Sequence, residues 1–261
     1  MRKRPCYPLP MKVRASFAAL IRPFLAIACV AAVGCSDPVV PSGGSEAKEE
    51  GSPAPSGLPG CPEGMVAVPG GIYPVGDPDP PAEAWYRLKA SRVKLPSFCI
   101  DQYEYPGRAG ELPRAGITWH EADALCRAGS KRLCSEHEWV AACRGPEGRL
   151  HSYGDSFEAG RCQTDGPGSK VEPIGSRPDC KSPLGVHDLN GSLSEWVADP
   201  WDRKPLPPLE TGEVAAPDSS PRVLRGGTMW FAIYGQDCRS RHSHNSRLGH
   251  LDDGFRCCGD L

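Results

Sequence analysis

The apolar residues of this chain fall into short groups separated by polar, glycine-rich and proline-rich stretches, and each group has the spacing of one element. Phe24-Leu-Ala-Ile-Ala-Cys-Val-Ala-Ala-Val33 is a continuous apolar run of ten residues behind a start rich in Lys and Arg. That is too short for a permanent bilayer span and reads as the core of an export signal. Residues 36–60 are Ser, Pro, Gly, Glu and Lys with almost no large apolar side chain, so they cannot bury enough surface to offset their ordering entropy and are expected to be a disordered tether. Apolar groups return at Cys61. Met65-Val-Ala-Val-Pro-Gly-Gly-Ile-Tyr73 predicts a strand turned by Gly70-Gly71, and Val93 to Glu104 predicts a second extended segment, with a proline-rich loop over 77–83 between them.

The period then changes to that of a helix. Thr118-Trp-His-Glu121 is a capping box, in which the hydroxyl accepts from the third helical N–H and the glutamate reaches back. The helix behind it puts Trp119, Ala122, Leu125 and Cys126 on one face and stops at Gly129. Ser135-Glu-His-Glu138 repeats the device, turning Trp139, Ala142 and Cys143 inward before Gly145-Pro146. His120 and His137 fall on capping or exposed turns of these helices. Residues 150–183 are turn-rich, 203–221 form another proline-rich excursion, Arg222 to Phe231 predicts a strand broken at Gly226-Gly227, and Gly254 to Cys258 predicts a last short strand. Few long elements and many loops point to an α+β domain over 61–261, held by bridges and ions more than by layered secondary structure.

Composition sharpens this picture in three places. Thirty Gly and 29 Pro, with an ordinary charged fraction of 24%, fit a loop-rich fold and not a disordered one. A net charge of −2 with scattered arginines excludes a nucleic-acid binder. Thirteen cysteines suit an exported chain. Ala32-Val-Gly-Cys35 resembles a bacterial lipobox, which implies a signal peptide over 1–35, a lipid anchor on Cys35 and a place in the cell envelope, at the periplasmic face or the outer membrane. Cys6 and Cys29 then leave with the signal, and the ten cysteines that remain are an even number.

The stretch Leu184 to Trp201 concentrates hard oxygen donors. Asp188, Glu195 and Asp199 surround Asn190 and Gly191. Ca²⁺ takes about six to eight oxygens from carboxylates and main-chain carbonyls, and a glycine lets a loop fold back so that carbonyls point inward. Asp188 and Glu195 would supply charge, and the carbonyls of Gly191 and Leu193 neutral ligands. The spacing is not that of an EF-hand, and by itself it equally describes a turn whose acids are solvated over packed Trp196 and Trp201. His242, His244 and His250 lie within nine residues and are of the type that binds a transition metal, but with no carboxylate at a supporting spacing before Asp252 they are expected to be solvated histidines.

Six segments in order, Gly64-Met-Val-Ala-Val-Pro-Gly-Gly, Asp101-Gln-Tyr-Glu, Lys131-Arg-Leu-Cys-Ser-Glu-His-Glu-Trp, Gly185-Val-His-Asp-Leu-Asn-Gly-Ser-Leu-Ser-Glu-Trp, Arg225-Gly-Gly-Thr and Gly254-Phe-Arg-Cys, resemble the signatures of the sulfatase-modifying factor family, founded on the formylglycine-generating enzyme. The resemblance spans about residues 61–261. It implies a variant of the C-type lectin fold with little regular structure, and a structural Ca²⁺ on Asp188, Gly191, Leu193 and Glu195. The family's second calcium site would fall near Cys162 to Ile174 and is not clearly kept; a Cys162–Cys180 bridge can serve in its place. The resemblance also implies Cys126–Cys257 and Cys143–Cys238 bridges, leaving Cys61–Cys99 and Cys134–Cys258 as natural complements whose connectivity sequence alone does not determine.

The family oxidises a substrate cysteine with O₂ using two cysteines that bind Cu(I), which soft thiolates favour. Here those positions fall near Phe231 and Gln236, in a segment about three residues shorter, and the only cysteine, Cys238, aligns with a structural bridge. Copper is therefore not expected. Arg241 matches a cleft arginine of the family, Thr228 stands where serine is usual, and Ser194 replaces a cleft tryptophan. The expected function is a membrane-anchored binding or scaffold module for a protein or peptide ligand of the envelope, with glycan a further class of ligand. An active oxidase or related oxygenase and a lectin-like carbohydrate binder are the alternatives.

Overall fold

The two extended segments that open the domain are each split by proline and sent to different sheets. In the computed structural model, which describes residues 60–79, 88–201, 220–230 and 236–261, β1 (Met65–Val68) and β2 (Gly71–Val75) part at Pro69-Gly70, and β3 (Ser91–Leu95) and β4 (Phe98–Asp101) part at Pro96-Ser97. Proline has no N–H to donate to a ladder, so it marks the end of pairing. β1 pairs antiparallel with β4, and β2 with β3. The signal, its Cys35, the tether up to residue 59 and Phe231 lie outside the described residues.

Both helices form where their capping boxes place them. In α1 (Trp119–Ala128) Thr118 Oγ1 accepts from Glu121 N at 3.2 Å while Glu121 Oε2 accepts from Thr118 N at 3.0 Å. α2 (Glu136–Arg144) repeats this with Ser135 and Glu138, and Asp199 Oδ2 accepts from Glu136 N at 2.6 Å, satisfying one more orphan donor of the first turn. Asp199 thus belongs to the helix and not to the turn. Ala122 and Cys126 of α1 are buried, and every residue of α2 except His137 is buried. Trp139 anchors one apolar cluster with Val68, Phe98 and Val197, and Trp196 anchors a second with Ala122, Leu224 and Phe255.

Two four-stranded sheets complete the domain. One has the order β1-β4-β10-β5, with β5 at Arg132–Leu133 and β10 at Cys257–Asp260; the other has the order β8-β7-β6-β9, with β6 at Ser194–Pro200, β7 at Pro221–Arg225, β8 at Arg241–Asn245 and β9 at Asp253–Phe255. β6 runs antiparallel to β7 and parallel to β9. The second half of the acidic stretch is therefore a central strand, not a solvated turn, and His242 and His244 lie in strand β8. The predicted last strand is two strands in different sheets, and Arg256 is the single residue that joins them.

Five disulfides tie these elements: Cys61–Cys99, Cys126–Cys257, Cys134–Cys258, Cys143–Cys238 and Cys162–Cys180. Every described cysteine is paired, and each of the pairings drawn from the resemblance or left as its complement is present.

Candidate functional site

The turn 187–193 is bent by three successive left-handed conformations, at Asp188 (φ 58°), Gly191 (φ 76°) and Ser192 (φ 55°). Gly191 has no substitute there: a Cβ would lie 2.1 Å from Gln163 O. Main-chain bonds from Asp188 N to Cys180 O, Gly191 N to Gly226 O and Ser192 N to Gln163 O pin the turn to three distant segments. Beneath it lies a cavity of about 10 Å³ walled by Glu104, Gln163, Glu172, Asp188 and Ser192, roughly the room that one water-sized particle needs.

The carboxylates around this cavity are the unusual feature. Glu104 is 1% exposed and accepts from Ser192 Oγ at 3.1 Å and Leu193 N at 3.3 Å. Burial, with the charges of Glu195 and Asp188 added, pushes it well above the usual carboxylate range. Asp188 accepts from Gly175 N at 2.9 Å, yet burial pushes it up to about 6. Glu195, at the start of β6, is 1% exposed. Its Oε1 accepts from Arg256 Nη2 at 2.6 Å, and its Oε2 from Arg256 Nε and Trp139 Nε1, both at 2.7 Å.

These residues fit a divalent cation. Four carboxylates, Glu104, Glu172, Asp188 and Glu195, face two guanidinia, Arg177 and Arg256, leaving an excess of negative charge that a doubly charged ion would cancel. Glu195, however, spends its two oxygens on Arg256 and Trp139. The acids that share the cavity wall with Asp188 are Glu172 and Glu104, the latter 84 residues earlier in the chain than Asp188. Leu193 contributes its N–H to Glu104 and buries its side chain.

The segment expected to have lost a second ion is held by a protein cation. Arg177 donates to Cys162 O at 2.8 Å, to Glu172 through Nε and Nη2 at 2.8 and 2.7 Å, and to Asp165. A guanidinium together with the Cys162–Cys180 bridge thus organises the oxygens of this segment.

Ser194, Thr228 and Arg241 do not line an open cleft, as the resemblance implied. They are 0, 2 and 1% exposed. Ser194 N donates to Asp252 O, and Thr228 Oγ1 accepts from Trp230 N. Arg241 is spent inside: Arg241 Nε and Arg225 Nη2 both donate to Glu136 Oε1, and the Arg241 guanidinium stacks 4.3 Å from the Trp201 ring centre. Burial would raise Glu136, but the charges of Arg225 and Arg241 outweigh it and hold the carboxyl below its ordinary value. The physical reason for the correction is geometric. β8 runs antiparallel to β7, with Arg241 opposite Arg225, so both arginines reach the N-terminus of α2 and share its glutamate.

The last candidate position is Cys238. It is fully buried and bonded to Cys143 of α2, while Gln236 Nε2 donates to Thr228 O at 2.7 Å. Residues 105–261 match the model of the sulfatase-modifying factor enzyme 1-like domain. The chain belongs to the sulfatase-modifying factor family. It is 30% identical over 165 residues to a Bos taurus protein named inactive C-alpha-formylglycine-generating enzyme 2, covering 56% of this chain and 50% of that one. It is 24% identical to the Bos taurus formylglycine-generating enzyme, covering 88% and 86% respectively. The chain thus spans about half the length of the first of these relatives. Among solved structures it shares its fold with CarF (TM-score 0.56, 16% identity, 77% of this chain and 99% of that one) and with PvdO from Pseudomonas aeruginosa (TM-score 0.54, 18% identity, 76% and 94%). The domain is the sulfatase-modifying-factor variant of the C-type lectin fold, α+β and rich in disulfides.

Proposed function

We propose that this family member is a lipid-anchored binding or scaffold module of the cell envelope, recognising a protein or peptide ligand, and that it does not generate formylglycine. The observation that carries the reading is Cys238: the one cysteine in the segment after Gly226-Gly227 is bonded to Cys143 and buried, so it offers no thiolate for Cu(I) or for a substrate disulfide. That relatives named as inactive enzymes are among the matches agrees with it. The test is incubation of the reduced-copper-loaded protein with a cysteine peptide from a sulfatase under O₂. The expected mass spectrum shows unchanged thiol; conversion of the cysteine to an aldehyde would overturn the proposal. The anchor is tested at the mature N-terminus, where diacylated Cys35 is expected and an unmodified start beyond it refutes the idea.

A structural Ca²⁺ under the 187–193 turn is part of the same reading, with Asp188, Glu104 and Glu172 the carboxylates that wall the cavity. Bound only to the folded state, it would stabilise by RT ln(1 + [Ca²⁺]/Kd), about 2.7 kcal/mol at a hundredfold excess over Kd. Chelator is expected to lower the melting temperature. Asp188→Asn is the informative variant, since asparagine also tolerates the left-handed backbone at this position. It should melt lower in calcium and lose most of the chelator's effect. Equal melting of wild type and variant with and without calcium would refute the site.

A further inference from the structure

The turn that leaves β8 brings His250 and Asp253 back onto His244. His244 Nδ1 lies 3.0 Å from each carboxylate oxygen of Asp253 and 2.7 Å from His250 Nδ1, while His250 Nδ1 lies 3.5 Å from Asp253 Oδ2. The ligand atoms of the three residues all fall within 4.8 Å of one another. The sequence reading grouped His242, His244 and His250 and found no supporting carboxylate. In the structure His242 is buried, and the carboxylate is Asp253, the first residue of β9.

Counting lone pairs shows why this arrangement points to a ligand. A neutral imidazole carries one N–H and one lone pair. Two Nδ1 atoms and a carboxylate converge here, and a proton on His244 Nδ1 that serves Asp253 cannot also lie along the line to His250. A proton on His250 Nδ1 that serves His244 leaves His244 turning a lone pair toward the carboxylate. A cation accepts all three at once. Four-coordinate zinc with bonds of about 2.0–2.1 Å places its ligands roughly 3.3 Å apart, and the observed separations of 2.7, 3.0 and 3.5 Å bracket that value.

The support around the cluster is also that of a built site. The Asp253 side chain is fully buried and accepts from His250 N at 3.0 Å, so the carboxylate is held in place. Access comes from the other side, where the His250 side chain is 45% exposed. We propose that His244, His250 and Asp253 form a site for a divalent transition metal of the class that Zn²⁺ fills, with a coordination position open to solvent. Two imidazoles and one carboxylate are a ligand set for zinc and its neighbours in the row and not for Ca²⁺, so this site is separate from the carboxylate cavity under the 187–193 turn.

The test uses the untagged mature chain, saturated with Ca²⁺, freed of transition metals and titrated with Zn²⁺ against a chromophoric chelator. One Zn²⁺ per chain is expected, with His250→Ala and Asp253→Asn each weakening it by at least about tenfold, since loss even of a supporting contact costs that much. His250→Ala is the decisive variant, because its half-exposed side chain can be removed without disturbing the core. Co²⁺ should give the visible absorption of a low-coordinate site in wild type and lose it in His250→Ala. No Zn²⁺ uptake, or uptake unchanged in His250→Ala, would show that the histidines share only a proton and would overturn the proposal.

Discussion

Replacing Arg256 with methionine is expected to destabilise the domain by about 3–5 kcal/mol, because it leaves Glu195 as a buried carboxylate without its cation. Arg256 is 1% exposed and gives Glu195 two bonds of 2.6 and 2.7 Å, and it also donates to His187 O at 2.9 Å. It therefore joins the two large sheets and fixes the base of the 187–193 turn. The same substitution removes positive charge from beside Glu104 and Asp188, whose pKa values it lowers. Adding Glu195→Gln should recover most of the loss: the amide oxygen still accepts from Trp139 Nε1, and Glu195 no longer leaves an unpaired charge. Urea unfolding of the two single variants and the double variant checks this. Additive losses would mean that the pair is not coupled. Because Glu195 carries this structural role, Glu195→Gln is a poor probe of calcium, and Asp188→Asn is the cleaner one.

The second large effect is expected from the bridges between helices and C-terminal strands. Cys126–Cys257 spans 131 residues and Cys143–Cys238 spans 95. With Cys134–Cys258 intact the loop that Cys126–Cys257 closes in the unfolded chain runs through that bridge and shrinks to about ten residues, and that of Cys143–Cys238 to about thirty, so chain-entropy estimates give about 3 and about 4 kcal/mol, against about 3 for the 18-residue Cys162–Cys180 loop. A Cys143→Ala/Cys238→Ala variant should therefore fall in urea midpoint below a Cys126→Ala/Cys257→Ala variant, whose loop is still closed by Cys134–Cys258. The reverse order would show that strain or residual unfolded structure dominates. Losing Cys143–Cys238 would in addition free Cys238 close to Asn190, whose Nδ2 lies 3.8 and 3.9 Å from the two sulfurs.

What could be read along the chain was local. Thr118-x-x-Glu121 and Ser135-x-x-Glu138 define both helices because each box closes within four residues, whereas the breaks at Pro69 and Pro96, through which the sequence patterns run on, are visible only in the structure. The order of six short motifs carried the family, and with it two of the five disulfide pairings, Cys126–Cys257 and Cys143–Cys238. The interactions that define the sites are not local. Glu104 meets Ser192 across 88 residues, Glu195 meets Arg256 across 61, and Glu136 meets Arg241 across 105. No periodicity encodes such pairs. Ser194–Pro200 and Arg241–Asn245 carry charged side chains into the interior, where Arg256 meets Glu195 and Glu136 meets Arg241. A strand buried through ion pairs lacks the alternation that marks one buried through apolar contact. For the same reason Asp253 was not associated with His244: only the folding of β9 alongside β6, and of the turn after β8, puts a buried carboxylate beside two imidazoles nine and three residues away.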